Sequence, residues 1–292
     1  MSAGAPIVVE PLGPFSLAAS ARFIAGWPPG ATTQPHEPGT VRLAFALDSY
    51  EGHAGAVIRE DDGVLSIRVT DESQAQAIAR QVKRVLSLDH DARDLPRVVS
   101  GDPVVARAHR ASGGLRPVLF NSPYEAAAWS ILSARTHHRQ AQDIRAEISR
   151  TVGATLDVDG VEMAAFPTPQ QLLELQGLTG LGEEKMRRLR GVAEAALAGG
   201  LDPYRLRELG APDALAELQA VRGIGPFYAG LILVRATGAT DLLPPGAEPR
   251  LLGAVARAYD RGETITPAEL EDIAEGWRPY RTWIAVLMRV AG

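Results

Sequence analysis

Twelve residues in the last third of the chain, Leu218 to Ala229 (LQAVRGIGPFYA), constrain the architecture more than any other segment. A helical pattern ends at Val221. Gly223-Ile224-Gly225 then leads directly into a second helix with Pro226 in its first turn. The glycines permit φ > 0 and close approach of another backbone. Ile224 is placed to plug the space between the two helices and hold their angle. The second helix starts with unpaired N–H groups at the positive end of its dipole, a ready site for a phosphate oxygen. Gly-Ile-Gly alone fits any helix corner in a chain with 29 glycines. The full pattern is Leu, two residues, Val, one residue, Gly-Ile-Gly, three residues, Ala, and it is specific for a helix-hairpin-helix element. Gly180-Leu181-Gly182 is a poorer version, read as structural.

The rest of the chain is expected to supply an α+β fold. Up to residue 112 there are short β-rich segments at 41–47, 55–59 and 64–70, with a turn at Asp61-Asp62-Gly63. A helix capped by Asp71 or Ser73 carries Ile78, Val82, Val85 and Leu86 on one face, and Phe15 to Trp27 reads as another. This is an antiparallel sheet with helices on it, assigned to an N-terminal domain, 1–112. After Arg116 the strand signal nearly vanishes. Ser122-Pro123-Tyr124-Glu125 and Thr266-Pro267-Ala268-Glu269 are capping boxes, and Thr168-Pro169 opens a further helix. The expectation is an all-α domain over 113–292, with the hairpin at 212–237.

Composition excludes several chemistries. With no cysteine there is no disulfide, thiol nucleophile, cysteine-ligated zinc or iron–sulfur cluster. His137 and His138 are adjacent, so on a helix they diverge by about 100° and do not share a metal. No apolar run reaches the roughly 20 residues a membrane helix needs. The N-terminus lacks the basic start and apolar core of a secretory leader, so a cytoplasmic protein is expected. A net charge of −5 argues against coating nucleic acid through bulk charge. Local basic runs exist: Lys185, Arg187, Arg188 and Arg190, then Arg135, His137, His138, Arg139, Arg145 and Arg150. On charge alone these are solvated helix faces.

The motifs occur in an order that resembles the alkylation-repair (type II) DNA-3-methyladenine glycosylases of the helix-hairpin-helix DNA glycosylase superfamily. The segments are PFSLAASARFIAGW (14–27), SPYEAAAWSILSART (122–136), FPTPQQL (166–172), GLTGLGEEKMRRL (177–189), the hairpin, DLLPP (241–245) and GWRPYRTWIA (276–285). The resemblance implies helices around a cleft, a hairpin gripping one strand of duplex DNA, a wedge, and a damaged nucleotide swung into the cleft. The sugar–base bond then breaks through an oxocarbenium-like state beside a carboxylate, as in glycoside hydrolysis. It implies a DNA N-glycosylase of base-excision repair acting on alkylated or otherwise modified purines. A monomer is expected, with no membrane partner and no nucleotide or other cofactor; some members hold a monovalent cation under the hairpin carbonyls. Members that also cut the strand place a lysine where Phe227 stands, so a monofunctional enzyme is expected.

The resemblance also assigns site residues. Gly223, Ile224, Gly225, Pro226 and Phe227 face DNA. Arg135 stands where the family places its wedge, and phosphate binding is its simpler role. Tyr124, Trp129, Tyr228 and Trp283 are base-pocket candidates, as are Phe227 and Tyr280, with core packing the plainer reading for each. Leu231 and Arg289 stand where relatives place aromatics, which implies a more polar pocket. The family aspartate follows the hairpin helix. Aligning the next helix through Arg257 puts Glu248 there, whereas a gapless count from Asp241 lands on Gly246 or Ala247. Glu248 is the only acid among them, so it is the catalytic candidate, with helix capping as its alternative role. Asp241, the fallback carboxylate, reads as a turn contact. The altered acid motivates a second reading: a catalytically altered lesion-binding protein of the same fold.

Overall fold

The computed structural model describes residues 5–27, 37, 39–177, 180–243 and 248–291. Its N-terminal sheet has four strands, β1 (Ile7–Val9), β2 (Thr40–Ala46), β3 (His53–Asp61) and β4 (Val64–Val69), in the order β1-β4-β3-β2, all antiparallel. Asp62 and Gly63 close the β3–β4 hairpin with φ of 46° and 79°, the double left-handed turn that matches strand twist. Alternation puts Val41, Leu43, Phe45, Ile58, Leu65 and Ile67 on one buried face. Against them pack α1 (Leu17–Gly26) and α2 (Ala75–Val85). The 41–47 and 64–70 expectations match β2 and β4 closely.

Downstream come α3 (Leu95–Ser100), α4 (Pro103–Ser112), α5 (Pro123–Ser133), α6 (His138–Thr151), α7 (Pro169–Glu174) and α8 (Glu183–Leu197). They are followed by α9 (Pro203–Glu208), α10 (Ala211–Ala220), α11 (Pro226–Ala236), α12 (Pro249–Ala258), α13 (Pro267–Ala274) and α14 (Arg281–Ala291). Thr168 with Gln171, and Thr266 with Glu269, form complete capping boxes. Ser122 forms only half of one. Its Oγ accepts the Glu125 amide at 3.1 Å, but the buried Glu125 carboxylate turns away to Arg145 (2.7 Å) and Asn121.

The second part of the chain is not purely helical. Strands β5 (Ala154–Val158) and β6 (Val161–Ala165) pair across an Asp159-Gly160 turn whose φ values are 57° and 76°. This hairpin covers the far face of the sheet: a Cβ on Gly55 of β3 would lie 2.5 Å from the Val158 side chain. Asp159 accepts from Arg42 and Arg59. Weakly apolar strands (ATLDV and VEMAA) hide in the sequence because their alternation is half-buried against another element.

Two further cores complete the fold. One lies among α5, α6, α8, α10 and α11, with Ile131, Leu189, Val192, Leu218 and Ile232 at its centre. The other joins α3 and α4 to α12, α13 and α14, through Val105, Leu251, Val255, Trp277 and Ile284. It draws side chains from both sides of residue 112. Arg84 of α2, with no exposed surface, ties the parts together. It holds Asp48 at 2.8 and 2.9 Å and donates to the carbonyls of Asn121 (2.7 Å) and Ala236 (2.8 Å).

Candidate functional site

The hairpin joins α10 to α11. Gly223 has φ of +95°, and a Cβ there would lie 2.7 Å from Arg188 Cδ and 2.9 Å from Ile131 Cδ1, so a side chain is disfavoured on both grounds. Gly225 differs from expectation. Its φ is −88° with ψ 177°, it is the N-cap of α11, and a Cβ there would meet open space. Only the first glycine carries the left-handed turn, because the second must already be extended to start the helix. Ile224, 4% exposed, plugs the central core as its position implied. Pro226 occupies the first turn of α11. Among the described residues the amides of Gly225, Phe227 and Tyr228 meet no acceptor, and Gly223, Gly225, Pro226 and Phe227 are exposed. This is a bare helix N-terminus.

Basic side chains surround it. Glu184 near the start of α8 is shared by Arg188 (2.9 Å), Arg222 (3.6 Å) and Arg187, so one carboxylate faces three guanidiniums. Lys185 Nζ donates to the Leu132 carbonyl at 2.7 Å and to Thr136 Oγ1. Burial pushes its ammonium below the usual lysine range. These bonds fix the turn after α5, whose exposed apex is Arg135 at φ +54°. A non-glycine residue held left-handed is a strained placement of the kind found at functional positions. Among the described residues the Arg135 side chain has no partner. Ile131 lies beneath Gly223, and Arg135 follows it four residues on, just past the end of α5.

Along α11, Phe227, Leu231 and Arg235 recur every fourth residue, Phe227 exposed and the other two half-buried, while Ala229, Gly230, Ile232, Leu233 and Val234 are packed inside. The ridge spans about 12 Å from Phe227 to Arg235 at 1.5 Å per residue. At its far end the Arg235 guanidinium lies 4.8 Å from the Trp27 ring and 5.4 Å from that of Phe23, and donates to the Val118 carbonyl at 2.8 Å. Its Nε is enclosed and without a partner. Burial lowers its pKa to about 10, against the opposing pull of the Glu248 charge. Glu248 sits at the N-cap position of α12, but its side chain makes no cap bond. Its carboxylate instead accepts from Arg289 Nε at 3.3 Å, both side chains being a little over one-third exposed. Beyond this pair a cavity of about 490 Å³ opens, lined by Arg250, Gly253, Arg257, Glu263, Thr264 and Arg289 among others.

Phe227 lies on the ridge and the charge of Glu248 acts on its far end, while Tyr228 is half-buried against the central core, its ring 5.4 Å from that of Phe227; other candidates are removed from the ridge. Tyr124 has no exposed surface and donates its hydroxyl to the Pro167 carbonyl at 3.1 Å. Trp129 belongs to the central core. Trp283 and Tyr280 pack on each other in the third core. These four offer no open ring face, because burying a large aromatic contributes more than presenting it. Asp241 is engaged by Arg278 (2.7 Å) and Arg281 (2.8 Å), the turn contact read from sequence. Gly246 and Ala247, the alternative positions for the acid, lie outside the described residues, as do Pro244, Pro245, Leu178 and Thr179. Sequence reasoning missed Trp27 and Arg235 as members of this cluster; the four-residue spacing from Phe227 was the available signal for the arginine. Among the described residues no group of histidines and acids has the arrangement of a metal site, and no helix is long and apolar enough to cross a membrane.

Sheet, helical core and hairpin together define the fold of the helix-hairpin-helix DNA glycosylases. The 3-methyladenine DNA-glycosylase from Archaeoglobus fulgidus superposes with a TM-score of 0.76 over 97% of each chain at 21% identity. In sequence the chain is similar to DNA-3-methyladenine glycosylase 2 of Escherichia coli (strain K12), 27% identical over 244 residues, 82% of this chain and 81% of that protein. It is also similar to DNA-3-methyladenine glycosylase of Bacillus subtilis (strain 168), 21% identical over 221 residues, 74% of this chain and 72% of the relative. No protein-family model matches. The resemblance read from the motif order is therefore borne out.

Proposed function

We propose that the protein is a monofunctional DNA glycosylase that removes alkylated or otherwise modified purines from duplex DNA, the opening step of base-excision repair. The observation that carries this reading is the course of α11: a bare helix N-terminus at one end and, at the other, a carboxylate beside a ridge of exposed and half-buried side chains. The amides of Gly225, Phe227 and Tyr228 take a backbone phosphate. Arg135 contacts the strand or fills the gap left by the flipped nucleotide. The C1′–N bond breaks with its electron pair leaving on the base. Glu248 stabilises the oxocarbenium charge, and water adds at C1′ and gives up its proton. Phe227 offers no amine, so no Schiff base forms and the strand stays intact.

The carbonyls of Gln219 and Ile224 accept no hydrogen bond among the described residues. These are the carbonyls that would hold a monovalent cation of the kind the resemblance implies, and such an ion would add positive charge beneath the phosphate.

A second reading has one observation in its favour. Arg289 already engages Glu248, which suits a protein that binds lesions without cleaving. Single-turnover base release, with protein in excess over modified duplexes, separates the two. Release by the native protein and its loss in Glu248→Gln supports the enzyme. Tight, salt-sensitive binding without release from any substrate supports the binder.

A further inference from the structure

Charge at the far end of the ridge bears on which bases the pocket accepts, given the glycosylase reading above. Two guanidiniums, Arg235 and Arg289, stand against one carboxylate, Glu248. Arg250 and Arg257 extend the same sign into the adjoining cavity, where Glu263 is the single acid. Arg235 is pinned by Val118 and by two aromatic rings and cannot withdraw. Arg289 spends Nε on Glu248 and has its remaining donors on a partly exposed side chain. Phe227 and Leu231 give the ridge one exposed ring and one aliphatic surface, and the rings at its far end, Trp27 and Phe23, already face the Arg235 guanidinium, so among the described residues no aromatic cage is left to hold a second cation.

We propose that this pocket selects an uncharged modified purine carrying an exocyclic oxygen, the deaminated class, over a cationic alkylated purine, with Arg289 as the specificity-determining residue. An N-alkylated purine bearing a positive charge enters a net positive site, and that repulsion opposes any hydrogen bond its exocyclic group accepts there. An oxygen-bearing purine accepts a hydrogen bond from Arg289. Bond breaking gives the guanidinium a second role toward the neutral base. When the glycosidic bond of a neutral purine breaks, the electron pair leaves the base as an anion, which the guanidinium stabilises until water supplies its proton, the hydroxyl going to C1′. A cationic purine departs neutral and draws no such stabilisation.

The test compares single-turnover release from duplexes containing deoxyinosine with release from duplexes containing 7-methylguanine, for the native protein and Arg289→Met. Methionine keeps the apolar stem and removes the donors, and a thermal melt reports the fold. The expected result is deoxyinosine released roughly tenfold or more faster by the native protein, with Arg289→Met slowing it by a similar factor and closing the gap. Faster release of 7-methylguanine by the native protein overturns the proposal. So does a variant that melts normally and slows both bases equally. Release of neither base from the native protein refutes instead the glycosylase reading on which it rests.

Discussion

Gly225→Asp separates the stability of the hairpin from its grip on phosphate. At this position φ is −88°, the N-cap side chain is missing, and the space around a new Cβ is open. Aspartate is among the best N-cap residues, better than glycine by a few tenths of a kcal/mol, so the fold should hold or gain slightly. Binding should suffer twice. The carboxylate accepts the Phe227 and Tyr228 amides that a phosphate would use. It also lies roughly 5 Å from that phosphate, which at an effective dielectric between 20 and 80 costs about 1–3 kcal/mol. Affinity should fall about 5- to 150-fold, and the slope of log affinity against log salt should shrink by about one phosphate equivalent. Fluorescence anisotropy with a labelled duplex carrying an uncleavable abasic analogue, at several salt concentrations, reads both. Gly223→Ala supplies the contrast. It places a Cβ against Arg188 and Ile131 at φ +95° and should cost roughly 1–3 kcal/mol of stability in urea. An unchanged affinity and salt slope in Gly225→Asp, with a normal melt, would refute the phosphate assignment of the hairpin.

Two further outcomes follow from the fold. Arg84→Met should destabilise by about 3–5 kcal/mol in a denaturant melt, because Asp48 and two buried carbonyls lose their donor together. Acid should weaken the fold below about pH 6.5 through His53, whose pKa burial lowers, with only partial compensation from its bond to the Phe166 carbonyl (3.1 Å). The unfolded chain then binds the proton more readily than the folded one, so stability rises with pH between the lowered pKa and the ordinary one. His53→Gln should flatten that slope in urea melts between pH 5 and 7.5.

The hairpin was legible in the sequence because its constraints are local: glycines for a turn, proline for a first turn, an isoleucine to plug. Helix starts at Ser122, Thr168 and Thr266 were legible for the same reason. The site was less so. Whether Tyr124 or Trp283 presents a face or fills a core depends on elements far along the chain, and the residue type is identical in both cases. Arg235 carries no motif; its place follows from the rotation of α11 once Ile232 and Leu233 are buried. The β5–β6 hairpin escaped notice although Asp-Gly marked its turn, because its flanking strands are short and weakly apolar. Glu248 illustrates the intermediate case. Its position at the head of α12 was readable, but its pairing with a residue 41 positions later was not.

Arg84 ties the N-terminal sheet to the tail of the hairpin helix. Its guanidinium rests on the Ala236 carbonyl, the last of the hairpin helix, at the negative pole of the dipole whose positive pole lies bare at Gly225. The helix is thus clamped at its tail and open at its head. On the proposed reading, a load applied by DNA at Gly225 would pass through α11 to Asp48 and the strand it follows. The sheet serves as the anvil for the hairpin, and a helical half expressed without it would lose the seat from which the hairpin holds a strand.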